Sequence, residues 1–453
     1  MEVATRYIAM QTRPESTDTA ATRRDFLKAS TTAVAAGALA SKLGFPAVLS
    51  AQANSDRLRI GFIGCGGRGT GAAAQALKAD SNVVLHAMAD VYESSLDRSL
   101  ASVNKEVGEA QKFDVPKSRQ FVGLDGYQKV LQSGVDVVIL TTPPGFRPLH
   151  FKAAIDAGKH VFLEKPMGTD ATGCKQIMAT AAEAQKKGLS VVDGFCWRYN
   201  YARRELYKRI HDGAIGDIRA IYATYLTGPV KPMPAKESRP EGMSDTEWQV
   251  RNWYNFTWLS GDGLVEQAIH SVDKIAWGMK DVPPLKCTAT GGRQIPNHEG
   301  NIWDHISVNY EWEDGARAFM AQRQTTGCHN ENNDYILGTK GSAYITRGVF
   351  IKDLDGKITW RHEGAVPDMY QVEHNEMYAA IRQGRPLNSG VRMCQSTLMG
   401  IMGRMAGYTG QEVTWEHMMK SNERQCPVDL AALDWKAPLP ITPMALPGRT
   451  KMS

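Results

Sequence analysis

The stretch LRIGFIGCGGRG, at residues 58–69, decides the fold of this 453-residue chain. Its apolar first half predicts a buried strand, and a G-x-G-x-x-G pattern at Gly64, Gly66 and Gly69 follows at once. The first glycine permits a tight turn, the second lets the backbone approach a pyrophosphate, and the third lets a helix meet the strand. The free amides at the start of that helix, around Gly67 and Arg68, suit phosphate oxygens. The stretch therefore predicts a strand, a turn and a helix that bind a dinucleotide.

An acidic residue, Asp90, ends the next predicted strand, Val83–Asp90, 21 residues after Gly69. A carboxylate in this place can bind both ribose hydroxyls of NAD and would repel the 2′-phosphate of NADP. No arginine follows before Arg98, so nothing nearby favours that phosphate. The pair of signals predicts a Rossmann domain that binds NAD(H), with NADP less favoured. The alternative is a glycine turn and a strand-terminal aspartate with no ligand.

From Arg57 to about Leu189 the chain alternates short apolar runs with helical stretches, a pattern typical of a parallel sheet. Longer strands with alternating apolar residues follow, such as Ile218–Thr227 and Ile302–Trp312. We predict an α/β protein with an N-terminal Rossmann domain and a C-terminal α+β domain that has a large open, mostly antiparallel sheet. The predicted segments are a signal peptide at 1–53, the Rossmann domain at 54–185, a substrate-binding and oligomerisation domain at 186–420, and a tail at 421–453.

The N-terminus carries TRRDFLK at residues 22–28, then a weakly apolar stretch and an A-x-A pattern at residues 51–53. Two adjacent arginines before Phe, Leu and Lys resemble a twin-arginine export signal. The stretch is rich in Ala, Thr and Gly and makes a poor membrane span. We therefore expect export to the periplasm by the twin-arginine machinery and a mature chain, from about Asn54, without a membrane span. The alternative is an amphipathic N-terminal helix.

Composition excludes several classes of protein and site. With 42% hydrophobic and 22% charged residues the chain is typical of globular proteins, and a net charge of +5 makes no case for nucleic acid. The seven cysteines show no CxxC pattern, which indicates free buried thiols. No histidine spacing fits a metal ligand set, so we predict no metal site.

The sequence HVFLEKP, at residues 160–166, ends a predicted strand at the carboxyl edge of the sheet, where doubly wound sheets bind ligands. Lys165 in this place can lie beside a nicotinamide; the alternative is an exposed lysine at the start of a loop. Together with the glycine loop and Thr141, Thr142 and Pro143, this motif resembles the glucose–fructose oxidoreductase and inositol dehydrogenase (Gfo/Idh/MocA) family. The resemblance covers the chain from about residue 57 to residue 415. It implies that these three residues, with Glu164 and Lys165, contact NAD(H).

The resemblance also assigns chemistry. In the family the lysine of the E-K-P motif contacts substrate hydroxyl and cofactor, which points to Lys165. An acidic residue four positions before a helical histidine appears here as Glu266 and His270, with Glu where Asp is more usual. Residues four apart share one helix face, so both side chains can reach one ligand. We expect His270 to act as the base and Lys165 to stabilise an alkoxide or share the proton relay. Asp273 is expected to orient the imidazole.

Substrate contacts are predicted at Arg198, Asp273 and Trp258. Trp258 lies in an aromatic segment, which also contains Trp248, Trp253 and Tyr254, before the helix of His270. Flat aromatic faces pack well on the C–H faces of sugars, although core packing or a subunit interface explains such a segment as well. The resemblance implies a carbohydrate substrate and a homo-oligomer, a dimer or a tetramer.

Three functions stay open at this point. The first is an NAD(H)-dependent oxidoreductase acting on a secondary hydroxyl of a sugar. The second is an NAD-dependent glycosidase that works by transient oxidation, elimination and re-reduction; relatives of this kind commonly lack the lysine found at Lys165. The third is a non-catalytic sensing protein, which the presence of Lys165 and His270 disfavours. Export of a folded enzyme from the pool of free NAD predicts a tightly bound cofactor.

Overall fold

The strand–turn–helix unit predicted at residues 58–79 opens a parallel six-stranded sheet in the computed structural model. The structure describes residues 57–295 and 299–452, and the predicted signal peptide and the start of the mature chain lie outside them. The sheet has the order β3-β2-β1-β4-β5-β6, the doubly wound order of a Rossmann domain. Its strands are β1 Leu58–Ile63, β2 Val83–Asp90, β3 Gln120–Val122, β4 Val137–Leu140, β5 His160–Leu163 and β6 Val191–Asp193.

Five helices flank this sheet, and the chain from Arg57 onward forms a single compact unit. They are α1 Gly67–Ala79, α2 Glu93–Val107, α3 Gly126–Gln132, α4 Arg147–Asp156 and α5 Ala171–Lys186. Strand β6 pairs with β5 and lies beyond residue 185, so the parallel sheet extends past the predicted end of the first domain. The three-residue strands β3 and β6 are too short to show a hydrophobic period in the sequence.

A nine-stranded mixed sheet follows, with the order β14-β13-β12-β11-β7-β10-β9-β8-β15. Strand β10 runs parallel to β7, whereas the other neighbouring pairs are antiparallel, and the predicted fold class is confirmed. The strands are β7 Ile218–Thr227, β8 Lys286–Gly292, β9 His305–Glu311, β10 Arg317–Gln324, β11 Asp334–Gly338, β12 Gly341–Ile345, β13 Val349–Asp353, β14 Ile358–Arg361 and β15 Val413–Thr414.

Helices cover one face of this sheet and connect it to the first. They are α6 Tyr201–His211, α7 Asp245–Arg251, α8 Thr257–Ser260, α9 Gly263–Glu266, α10 Ile269–Gly278, α11 Met369–Arg382, α12 Gly390–Thr409 and α13 Trp415–Lys420. Helix α12 is buried along most of its length and packs against β8 and β9. The packing is close at Gly403, where an added Cβ would lie 2.9 Å from Val308. Helix α11 returns to pack on α1 of the first sheet. No helix in the described part of the chain is long and apolar enough to cross a bilayer.

Candidate active site

A cavity of about 480 Å³ opens at the carboxyl edge of the parallel sheet, where the ends of β1, β2 and β4 meet. The glycine loop, the end of β2 and the loop after β4 form its first wall, and a segment that follows β7 forms the second. Its walls contain the predicted cofactor residues Gly64, Gly66, Gly67, Arg68, Gly69, Asp90, Thr141, Thr142 and Pro143. The structure therefore brings together nine of the eleven positions predicted for the dinucleotide.

The glycine loop has the shape that a dinucleotide requires. Gly64 has a φ of +96°, and a Cβ there would lie 2.7 Å from the backbone of Thr141 and Thr142. A Cβ on Gly69 would lie 2.2 Å from the carbonyl oxygen of Gly64. At Gly66 a Cβ would meet no described atom within 4 Å, so this glycine faces open space. Close packing behind the loop and free space before it fit a bound pyrophosphate at the start of α1.

Asp90 ends β2 and lines the cavity beside the glycine loop. One carboxylate oxygen accepts a hydrogen bond from the Cys65 amide at 2.7 Å, and the other accepts one from the Tyr92 amide at 2.9 Å. These bonds fix the carboxylate beside the glycine loop and leave each oxygen a further lone pair for a ribose hydroxyl.

Lys165, which follows β5, forms a largely buried ion pair with Glu266; neither residue, nor Glu164 or His270, is among those that line the cavity. The Lys165 ammonium donates to Glu266 Oε1 at 2.8 Å and to the Glu266 carbonyl oxygen at 2.5 Å. The two side chains are 10% and 7% exposed, so water screens the pair weakly. An ammonium has three N–H donors, and two are used here. The third is left to donate to a substrate oxygen.

The second oxygen of Glu266 is also held. Tyr254 donates its hydroxyl to Glu266 Oε2, and the side-chain amide of Gln267 donates to the same oxygen at 2.6 Å. Tyr225 donates in turn to the amide oxygen of Gln267 at 2.8 Å. The carboxylate therefore accepts from both sides and cannot rotate without breaking bonds, and this fixes the position of Lys165. The sequence singled out Tyr254 only as a member of an aromatic segment, and its hydroxyl gave no separate signal.

His270 lies in the first turn of α10, and Glu266 ends the preceding short helix α9. The two residues are therefore not on one continuous helix face, because the chain turns at Gln267 and Ala268. The His270 ring stacks on Trp197, with centroids 5.4 Å apart. Its Nδ1 is buried and has no hydrogen-bond partner in the described part of the chain.

The charges around His270 keep its imidazole neutral. Burial lowers the pKa of His270 well below its usual range, and the positive charges of Lys165 and Lys274 lower it further. The Lys274 ammonium lies 3.9 Å from the centroid of the Trp197 ring and pairs with Asp334. A neutral imidazole is the form that can accept a proton, although the lowered pKa makes it a weaker base than a free imidazole.

Arg198 was predicted to contact substrate, and Asp273 was predicted to contact substrate and to orient His270. In the structure they bind each other: Arg198 donates to the two carboxylate oxygens of Asp273 at 2.9 Å. Arg198 also donates to Asp281 at 2.5 Å, and Ser396 donates to Asp273 at 2.7 Å. The expectation that Asp273 orients the imidazole is thus corrected, because its carboxylate is occupied by this buried pair. Direct contact of Arg198 or Asp273 with substrate stays a prediction.

Trp258 is 3% exposed and packs edge-on against Phe146, with its indole N–H donated to Gln249 at 2.8 Å. A ring so enclosed is part of the core and cannot offer a flat face to a sugar in this conformation. Trp253, which the sequence places in the same segment, is partly exposed and lines the cavity. Among the described residues, no group of three or more His, Cys, Asp or Glu could hold a metal ion.

Glu164 connects the E-K-P motif to the glycine loop. The Arg68 guanidinium donates to Glu164 at 2.5 Å and to the fully buried Glu373 on α11 at 3.3 Å. Arg68 also lines the cavity, so the residue before Lys165 is held by a residue of the cavity wall. Glu373 is more than three hundred residues from Arg68 in the chain, and no local pattern in the sequence indicates the contact.

Family models match two parts of the chain. Residues 58–192 match the oxidoreductase family GFO/IDH/MocA with its NAD-binding Rossmann fold, and residues 203–344 match the GFO/IDH/MocA C-terminal domain. Together the two matches span more than half of the chain. Among curated proteins, the chain is 28% identical over 350 residues to a glycosyl hydrolase family 109 protein of Shewanella baltica, covering 70% of this chain and 72% of that protein.

Solved structures share the fold at low identity. An aldose-aldose oxidoreductase from Caulobacter crescentus, complexed with glycerol, matches with a TM-score of 0.61 at 18% identity, covering 79% of this chain and all of that one. The WlbA dehydrogenase from Bordetella pertussis, in complex with NADH and UDP-GlcNAcA, matches with a TM-score of 0.58 at 19% identity, covering 79% and 99%. An apo scyllo-inositol dehydrogenase from Lactobacillus casei matches with a TM-score of 0.59 at 21% identity, covering 79% and 98%.

Proposed function

The chain belongs to the GFO/IDH/MocA oxidoreductase family, and from this membership we propose that it oxidises a secondary hydroxyl of a sugar or sugar derivative with NAD(H) that stays bound. The observation that carries the proposal is the Lys165–Glu266 pair, held at the carboxyl edge of the sheet and tied to the glycine loop through Glu164 and Arg68. When bound, NAD would supply the hydride acceptor, and a second carbonyl substrate would take the hydride back, which regenerates the cofactor without its release.

The residues of the chain position the substrate and move its proton. The free N–H of Lys165 donates to the substrate oxygen and stabilises the negative charge that develops there. Glu266 holds the ammonium in place through its carboxylate and its carbonyl oxygen. His270, kept neutral by its surroundings, takes the hydroxyl proton on a ring nitrogen. These three roles stay proposals, and each is assigned to a side chain whose environment suits it.

A second candidate is the NAD-dependent glycosidase, in which transient oxidation is followed by elimination and re-reduction. The similarity to glycosyl hydrolase family 109 proteins favours it. Both reactions begin with the same oxidation step. Lys165 favours net oxidation, because glycosidases of this kind commonly lack a lysine at this position.

A substrate panel separates the two candidates. The purified chain is mixed with free sugars, sugar acids, inositols and aryl glycosides, and both the absorbance at 340 nm and the release of aglycone are followed. The proposal expects a rise at 340 nm with a free sugar or inositol, without added NAD. Aglycone release with no net change at 340 nm would contradict net oxidation and support the glycosidase.

We also propose export and self-association. The TRRDFLK motif supports twin-arginine export to the periplasm, and fractionation of cells that express the full chain, with an Arg23→Lys/Arg24→Lys variant as control, tests it. Tyr222, Phe319 and Leu337 expose large apolar side chains on strands of the nine-stranded sheet, which supports a homo-oligomer. Light scattering of the purified chain should give a dimer or tetramer mass; a monomer would contradict the proposal.

A further inference from the structure

The second wall of the dinucleotide cavity comes from outside the Rossmann domain. Lys231, Val250, Arg251 and Trp253 line the same cavity as the glycine loop and Asp90. These residues belong to the segment between β7 and α8, which contains helix α7. Two cations and a partly exposed indole ring suit a ligand that combines anionic phosphates with flat heterocycles. The wall therefore has the chemistry of a dinucleotide site, although it carries no recognised motif.

The Arg251 side chain lies over Tyr92, two residues after the end of β2. Its guanidinium carbon lies 4.8 Å from the centroid of the Tyr92 ring, and its Nη2 donates to Glu247 at 3.1 Å. Tyr92 in turn donates its backbone amide to Asp90. The edge of the Tyr92 ring meets the indole of Trp435, with centroids 5.6 Å apart. Tyr92 thus joins the ribose end of the cavity to α7 and to the C-terminal tail.

The C-terminal tail fastens α7 in place. Four hydrogen bonds connect the two segments. Three side chains donate to carbonyl oxygens of the tail: Ser244 to Trp435 at 2.5 Å, Thr246 to Ala437 at 3.3 Å, and Gln249 to Leu439 at 2.7 Å. In the other direction, the Leu439 amide donates to the Asp245 carboxylate at 3.2 Å. The Leu439 side chain is 2% exposed in an apolar cluster that also includes Val250. Val91 and Leu124, which line the cavity, pack against the same cluster. The tail therefore holds together both walls of the cavity.

We propose that Arg251 and Trp253 are cofactor-binding residues, and that residues 426–445 form a strap that holds them over the bound dinucleotide. The inference deepens the proposed function, on which it rests, by naming the parts of this chain that retain NAD(H). A dinucleotide held between the two walls loses the contacts of the second wall when that wall moves. Moving this wall breaks the hydrogen bonds to the tail and exposes the apolar cluster. Retention is then a kinetic property, set by detachment of the strap rather than by contacts to the ligand alone.

The test measures the release of NAD from the full-length chain. Wild type and variants are loaded with radiolabelled NAD, chased with excess unlabelled NAD, and filtered at intervals to give a release rate. Arg251→Ala and Trp435→Ala are expected to release NAD at least about tenfold faster than wild type. Lys236→Ala is the matched control: this lysine lies in the same segment, its side chain is 73% exposed, and it does not line the cavity. Its release rate should stay within about twofold of wild type.

Three outcomes decide the matter. Fast release from Arg251→Ala and Trp435→Ala, with an unchanged control, supports the strap. Unchanged release from both variants overturns the strap and leaves the proposed function standing. A wild-type chain that neither carries NAD(H) when it is isolated nor takes up labelled NAD overturns both proposals. Trp435→Phe guards against loss of fold, because a phenylalanine ring keeps the edge contact with Tyr92 and should restore slow release.

Discussion

Replacing Lys165 with methionine removes the charge at the centre of the candidate site and keeps most of the side-chain volume. The variant loses the two hydrogen bonds to Glu266, at 2.5 and 2.8 Å. Loss of a positioned acid–base or oxyanion-stabilising group costs about 100- to 10,000-fold in rate. We therefore expect the single-turnover rate at which sugar reduces the bound NAD to fall by about 1,000-fold, measured as the increase at 340 nm.

Stability should fall as well, for a separate reason. The variant leaves the carboxylate of Glu266 buried without its cation, and breaking a buried pair in this way costs about 3–5 kcal/mol. Tyr254 and Gln267 still donate to the other oxygen, which places the expected loss at the lower end of that range. The free energy of unfolding is measured by urea titration. The double variant Lys165→Met/Glu266→Gln should recover most of the stability and none of the activity, because it removes the unpaired charge.

The control is Lys186→Met, an exposed lysine at the end of α5, which should match wild type in both measurements. Bound NAD should remain in Lys165→Met, since the glycine loop and Asp90 are untouched. If Lys165→Met keeps its turnover within about tenfold of wild type, the assignment of Lys165 is wrong.

Four further predictions follow from the same geometry. Asp90→Ala should weaken NAD binding by about 10- to 100-fold, the cost of losing hydrogen bonds to a charged group, and should reduce the preference for NAD over NADP. Equal binding of NAD and NADP by wild type would contradict the assignment of Asp90 to the ribose. His270→Asn should reduce kcat at least about 100-fold. Because the pKa of His270 is lowered, wild-type kcat/KM should stay high as the pH is lowered past 6.5, and a loss of kcat/KM that begins above that pH would contradict a neutral His270. Gly66→Ala should keep its fold but bind NAD more weakly, since the added Cβ would face open space, whereas Gly64→Ala should also unfold at a lower urea concentration. Equal effects of the two substitutions on stability would refute the different roles assigned to these glycines. His374 is fully buried, and burial lowers its pKa well below the usual range. Below about pH 6.5 the unfolded chain therefore binds a proton that the folded chain does not, and the free energy of unfolding falls by up to about 1.4 kcal/mol per pH unit. His374→Leu should reduce this pH dependence of stability, and an unchanged slope would refute the assignment.

Local sequence patterns located the glycine loop and four strands of the Rossmann half, but not the short strands β3 and β6. The roles predicted for Gly64 and Asp90 each depend on one turn or one strand end, so they follow from a few neighbouring residues. The structure places both residues on one cavity. The E-K-P motif was also informative, since the end of β5 fixes Lys165 at the carboxyl edge whatever the rest of the chain does.

Partners far apart in the chain could not be predicted in the same way. Arg198 looked free in the sequence, but folding supplies Asp273 and Asp281 from more than seventy residues away. Glu266 and His270 were expected on one helix, yet the chain turns between them, and periodicity does not detect a break of two residues. Trp258 shows the same limit, because an aromatic residue has the same local signal in a core and on a sugar platform.

The strap is the clearest case of a feature outside the reach of local patterns. Proline-rich residues after 421 predicted only a tail, since short segments without a hydrophobic period do not reveal what they pack against. Trp435 and Leu439 acquire their role from α7, about 190 residues earlier in the chain.

The most direct test of the central claim is the identity and redox state of the dinucleotide that the isolated chain releases on denaturation, before and after incubation with a panel of sugars. The account predicts about one NAD(H) per chain, with the NADH fraction rising after at least one sugar is added. Absence of NAD(H) from a chain that is otherwise folded, or a redox state that no carbohydrate changes, would contradict it.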